Sequence, residues 1–157
     1  MLALGLDTSC YTTSAALCSP GAEPRQARRL LPVPAGERGL RQSEAVFAHV
    51  RQLSEMVESV MKDADEPISC VCASIAPRAD ADSYMPVFQV GETVGRAVAA
   101  ALHVPFYQTN TSQYCPLYAV CKYGERGRQE LPVNCPGYCS RQVFLYPKHL
   151  NMVGRYN

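Results

Sequence analysis

The apolar positions of this chain fall in blocks whose spacing changes along its length. Residues 2–6, LALGL, show no polar alternation, which predicts a strand buried on both faces. TTSAALCS (12–19) follows a tight connection and alternates, predicting the second arm of a hairpin. Pro20, Gly21 and Pro24 mark a turn; RQARRLLPV then predicts a third, more exposed strand, and PVPAGERG (32–39) a loop. From Ser43 the period becomes helical. Val46, Val50, Leu53, Val57 and Val60 recur at spacings of four and three, and Phe47 and Met61 widen the stripe. Glu44, Arg51, Glu55, Glu58 and Lys62 lie opposite, so an amphipathic helix is predicted, with Ser43 as N-cap and Glu44 at the positive dipole end.

Pro67 restarts the chain, and ISCVCASIA (68–76) predicts another buried strand. PRADADSY (77–84) is a polar loop. MPVFQVGETVGRAVAAALHV predicts a second helix, with Pro86 in its first turn and a stripe of Val87, Val90, Val94, Val98 and Leu102. Gly91, Gly95 and Ala99 form a column on that helix. Glycine costs a helix interior about 1 kcal/mol relative to alanine, so the column implies close approach to a sheet or another helix. VPFYQT (104–109) predicts a further apolar strand. This order predicts an α/β fold, a mixed β-sheet with covering helices. The texture breaks near residue 110, so the reading is one lobe over 1–109 and an atypical Cys/Tyr-rich tail over 110–157.

Length and composition narrow the class. With 157 residues, 47% of them hydrophobic, the chain can bury one real core. A net charge of +1 and 18% charged residues point to neither a basic nucleic-acid surface nor an acidic disordered tract. No apolar run approaches the roughly 20 residues needed to cross a bilayer, and no signal-peptide pattern opens the chain. A cytoplasmic protein with no membrane partner is expected. Cys10, Cys18, Cys70 and Cys72 sit in apolar runs, as buried thiols do. Cys115, Cys121, Cys135 and Cys139 are spaced more loosely than paired CxxC ligands, which weakens a zinc reading without removing it.

Candidate chemistry concentrates in the first turn. Asp7 ends an apolar strand, and five of the next seven residues are Ser or Thr. A carboxylate at the end of a buried strand is costly unless paired. In one reading Asp7 holds a magnesium-bound water while Thr8, Ser9, Thr12 and Thr13 point outward to phosphate oxygens. In the plainer reading these side chains satisfy their own turn amides. His49 lies beside Val46 and Val50 and reads as a helix-surface histidine.

Three separated segments, LGLDTSCYTTSAAL, VPAGERGLRQSEAVFAHV and YMPVFQVGETVGRAVAAALHVPFYQ, arrive in order. Over about residues 2–110 the chain resembles the N-terminal lobe of the actin/Hsp70-type (ASKHA, ribonuclease H-like) ATPase fold. Within it the chain is similar to a divergent bacterial branch of the TsaD (Gcp) family. These are the tRNA threonylcarbamoyladenosine synthases, formerly labelled O-sialoglycoprotein endopeptidases. The resemblance implies threonylcarbamoyl transfer to adenosine 37 of tRNA, with ATP or threonylcarbamoyl-adenylate, a divalent metal, and TsaB-like and TsaE-like partners. It gives Asp7 the metal–phosphate unit and the Thr8–Thr13 turn the phosphate.

The chain also departs from that pattern. Tyr11 and Thr12 stand where the main line has two acids, and APRADADSYMP replaces a Gly-Pro-Gly loop. The His-x-x-x-His pair that ligates the family's metal is missing after VPFYQT: His103 and His149 are both misplaced for it, so no metal site is expected. Half a cleft cannot enclose a nucleotide, and family membership without independent activity follows. A reading-frame shift near residue 110 would account for the tail, which is then expected to be poorly ordered and no native second lobe. The alternative is a non-catalytic ASKHA lobe that acts by association, as a homo- or hetero-dimer through its helices.

Overall fold

The computed structural model describes residues 2–19, 22–36, 39–78 and 82–110. The tail with its late cysteines, and His149, lie outside the described residues. Five strands and two helices follow in the order β1 (Leu2–Asp7), β2 (Thr12–Cys18), β3 (Arg25–Leu30), α1 (Gln42–Met61), β4 (Ile68–Ala76), α2 (Phe88–Leu102) and β5 (Phe106–Asn110). The strands form one sheet, ordered β3-β2-β1-β4-β5. β1 and β2 pair antiparallel, as do β2 and β3, while β1, β4 and β5 run parallel.

The pleat of β1 explains its unbroken apolar run. Leu2, Leu4 and Leu6 face one side, where they join Leu53, Met56 and Val60 of α1 and Val90 and Ala99 of α2 in the main core. Both helices therefore cover the same face. Ala3 points to the other face, into a cluster with Cys18, Cys70 and Cys72. These three and the half-buried Cys10 are in no disulfide among the described residues. The exposed edge is β3, whose Arg25, Arg28 and Arg29 are all solvent-facing. Charge on an edge strand discourages pairing with another sheet.

The glycine column does approach the sheet. A Cβ on Gly95 would stand 2.7 Å from the Phe106 ring and 3.5 Å from Ala73 Cβ. Two helix expectations change. α1 starts at Gln42, not after a Ser43 cap: Arg41 is extended and its N–H donates to Glu44 Oε2 at 3.1 Å. α2 starts at Phe88, and Pro86 belongs to the turn before it, where its carbonyl accepts Gln89 N–H at 3.1 Å.

The buried face of α1 is also turned from the predicted stripe. It consists of Ala45, His49, Leu53, Met56 and Val60. Val46 and Val57 are half-buried, while Phe47 is 73% and Val50 57% exposed. The physical cause is that His49 finds hydrogen-bond partners inside, so it sits in the buried row and the valines move to its flank. Of the stripe predicted for α2, Val87, which precedes the helix, and Val90 are buried, but Leu102 at the helix end is exposed. β5 continues one residue beyond the predicted limit, to Asn110.

Candidate functional site at the first turn

Three parallel strands end on the same edge of the sheet, which is where open α/β sheets place ligands. Asp7 is the last residue of β1 and pairs with Ser14 on β2. On β4, Ser74 follows Ala73, the partner of Leu6, and Ser74 itself pairs with Thr109 of β5. Alternation puts Asp7, Ser14, Ser74 and Thr109 on the face opposite the helices. One carboxyl thus sits in a row of hydroxyls. The linear reading singled out Asp7; Ser74 and Thr109 escaped it, because only the register brings them beside Asp7.

The turn itself is built by local bonds. Asp7 Oδ1 accepts Ser9 N–H at 2.8 Å, an Asx-type contact. Ser9 is buried, Thr12 is half-buried on the Asp7 side, and Cys10 takes a left-handed conformation with φ of 53°. Burial holds the Asp7 carboxyl above its ordinary value, and the bonds from Ser9 only partly offset this.

Thr8 and Thr13 correct the expectation that the hydroxyls all point outward. Both are fully buried. Thr8 Oγ1 donates to Val87 O at 2.7 Å and accepts Gly91 N–H at 3.1 Å. The N–H groups of Phe88, Gln89 and Val90 are taken by the carbonyls of Met85, Pro86 and Val87. The first four donors of α2, which in other proteins receive anions, are therefore closed by protein groups.

Thr13 serves the other helix. Its Oγ1 lies 2.8 Å from His49 Nδ1 and donates to Gln52 Oε1 at 2.9 Å. His49 Nε2 faces Cys10 O at 3.2 Å. His49 is fully buried, contrary to the surface reading. Burial pushes its ring below the usual histidine value, and the bond to Cys10 works in the opposite direction. A signal for this did exist in the sequence: His49 completes the row 45, 49, 53, 56, 60, which is regular only if a histidine is allowed inside.

No protein-family model and no curated protein matches the sequence. Solved structures do match. YeaZ from Pseudomonas aeruginosa superposes with a TM-score of 0.51 at 18% identity, over 70% of this chain and 44% of that one. A second structure, of an uncharacterized protein similar to peptidase YeaZ from Pseudomonas aeruginosa, gives 0.51 and 18% over 70% and 43%. The chain spans less than half the length of either. The fold is a ribonuclease H-like, ASKHA-type lobe. Identity at this level establishes the fold and nothing finer; of these two structures one is a YeaZ and the other is described as similar to it, and neither is a TsaD.

In this ASKHA lobe the turn, the start of α2 and the ends of β4 and β5 surround one carboxyl. Among the described residues no group of three or more His, Cys, Asp or Glu could hold a metal ion. His103 closes α2 in a left-handed conformation. No helix among the described residues is long and apolar enough to cross a membrane.

Proposed function

We propose that this chain is a non-catalytic ASKHA lobe that works by helix-mediated association with a second ASKHA protein of the TsaD type. It would act in the system that places threonylcarbamoyl on adenosine 37 of tRNA. The observation that carries this reading is the flank of α1. Phe47 and Val50, one turn apart, are 73% and 57% exposed, beside the half-buried Val46 and Val57. Isolated exposed apolar residues mean little, but an aromatic and a valine continuing a half-buried stripe form a patch. Full burial of such a side chain contributes about 1.5–3 kcal/mol. The likeness to YeaZ, the TsaB type of ASKHA protein, agrees with a partner role. The turn agrees too, because Thr8 and Thr13 are bonded to the helices and the amides at the start of α2 are closed. tRNA and a TsaE-like protein enter only through the family resemblance.

A second reading has its own observation. Asp7 is a desolvated carboxyl with no cationic partner among the described residues. One carboxyl with neutral hydroxyls fits a single contact to a hydrated divalent ion on a nucleotide phosphate, as in a TsaD-like lobe. Asp7 would hold that ion's water, and the half-buried Thr12 would meet the phosphate, while Ser9 is buried and bonded to Asp7; the ion would supply charge neutralisation. Calorimetric titration of the chain and of Asp7→Asn with Mg-ATP separates the two. Association predicts no Asp7-dependent heat and undiminished binding of the TsaD-type protein by Asp7→Asn. Nucleotide binding abolished in Asp7→Asn would favour the catalytic lobe.

A further inference from the structure

Four hydrogen-bonding groups behind the turn present more acceptors than the neutral state has protons. Cys10 O can only accept, so His49 Nε2 carries a hydrogen. Gln52 Nε2 donates to Leu30 O at 3.3 Å, which leaves Gln52 Oε1, an acceptor, toward Thr13. With a neutral ring His49 Nδ1 is an acceptor as well. The single Thr13 proton then faces two acceptors, at 2.8 and 2.9 Å. With an imidazolium the chain closes: Nδ1–H donates to Thr13, Thr13 donates to Gln52, and Nε2–H donates to Cys10.

We infer that His49 is the positioning residue of the β1–β2 turn and that its protonation tightens the hold on Cys10. Cys10 is the residue forced into the left-handed region, at a cost of about 1–2 kcal/mol, so its carbonyl needs a fixed partner. Among the described residues, charges on the neighbouring β3 and α2 are paired with other groups. On β3, Arg29 is cross-strand to Thr13 and pairs with Glu55 of α1 at the exposed rim. On α2, Glu92 and Arg96 pair with each other. The near face of β2 offers Thr13, Ala15 and Leu17, and the turn offers Asp7 on the opposite face, Cys10 and Tyr11. The device needs no partner and no nucleotide, so it stands apart from the proposed function.

The test is ¹⁵N NMR of the whole chain across pH. The neutral ring should be the Nε2–H tautomer, and the amides of Cys10, Tyr11 and Thr12 should titrate with the His49 midpoint. Gln52→Leu frees the Thr13 proton for Nδ1 and should lower that midpoint by about half a pH unit or more. In a Thr13→Val background the same substitution should leave the midpoint where it is. His49→Gln should abolish the pH response of the turn amides; if it does not fold, the Gln52 pair still decides. An Nδ1–H tautomer, turn amides indifferent to pH, or a Gln52→Leu shift that persists without the Thr13 hydroxyl would each overturn the inference.

Discussion

The hydroxyl of Thr8 stands inside the first hydrogen bond of α2. Gly91 N–H, which would reach Val87 O in an uninterrupted helix, donates to Thr8 Oγ1 at 3.1 Å, and Thr8 passes the bond on to Val87 O at 2.7 Å. A Cβ on Gly91 would lie 3.0 Å from that oxygen, which accounts for the glycine. Thr8→Val keeps the shape but strands a buried N–H, so it should cost about 1–3 kcal/mol. Urea denaturation measures it; an unchanged midpoint would mean that water replaces the hydroxyl.

Gly95 packs on Phe106, and the added Cβ at 2.7 Å requires the ring to move. Phe106 also lies under the Arg96 guanidinium, 5.0 Å from ring centre to Arg96 Cζ. Gly95→Leu should lose roughly 2 kcal/mol or more. Gly95→Ala should also destabilise, because about 1 kcal/mol of helix propensity does not repair a displaced ring and its neighbours. Equal denaturation midpoints for parent and leucine variant would contradict this packing.

Asp7 carries a pH signature. Its folded-state value is raised above the ordinary 3.8 by desolvation. The folded chain therefore holds this proton more tightly than the unfolded one does. The stabilisation is full below that ordinary value and is lost as pH rises through the folded one. Asp7→Asn retains an acceptor for Ser9 N–H without the charge. It should melt higher than the parent at pH 7, with the gap closing below about pH 4. A lower melting temperature at pH 7 would show that the carboxylate is paired after all.

His103 ends α2 in the left-handed region, φ 53°, with its N–H on Ala100 O and the Val104 N–H on Ala99 O. Glycine is the residue that takes this position without strain. His103→Gly at this exposed site should stabilise by about 0.5–1 kcal/mol, read from thermal melts.

The sequence made the element order, both faces of β1 and the purpose of the glycine column legible, because each depends on local period or on one costly residue type. The rotation of α1 was legible only to a reading that admits a histidine to the buried row. Histidine counts as polar in a pattern, and only the three-dimensional arrival of Cys10 O and Thr13 made position 49 an interior one. The same limit governed the site. Asp7 announced itself by ending an apolar run, whereas Ser74 and Thr109 became its neighbours through register between distant strands. Thr8 and Thr13 looked like ligand hydroxyls, since nothing local reveals that a helix will claim them.

The central claim is association through the flank of α1, and sedimentation velocity tests it most directly. The chain is run alone and with the TsaD-type protein of the same organism, alongside Phe47→Glu and Val50→Glu. Because both sites are exposed, the variants should keep the parent's melting temperature. The parent should form a heavier species with the TsaD-type protein, and each charged variant should weaken it by tenfold or more, about 1.4 kcal/mol. Failure of the parent to co-sediment, or complexes of equal strength from parent and both variants, would contradict the account.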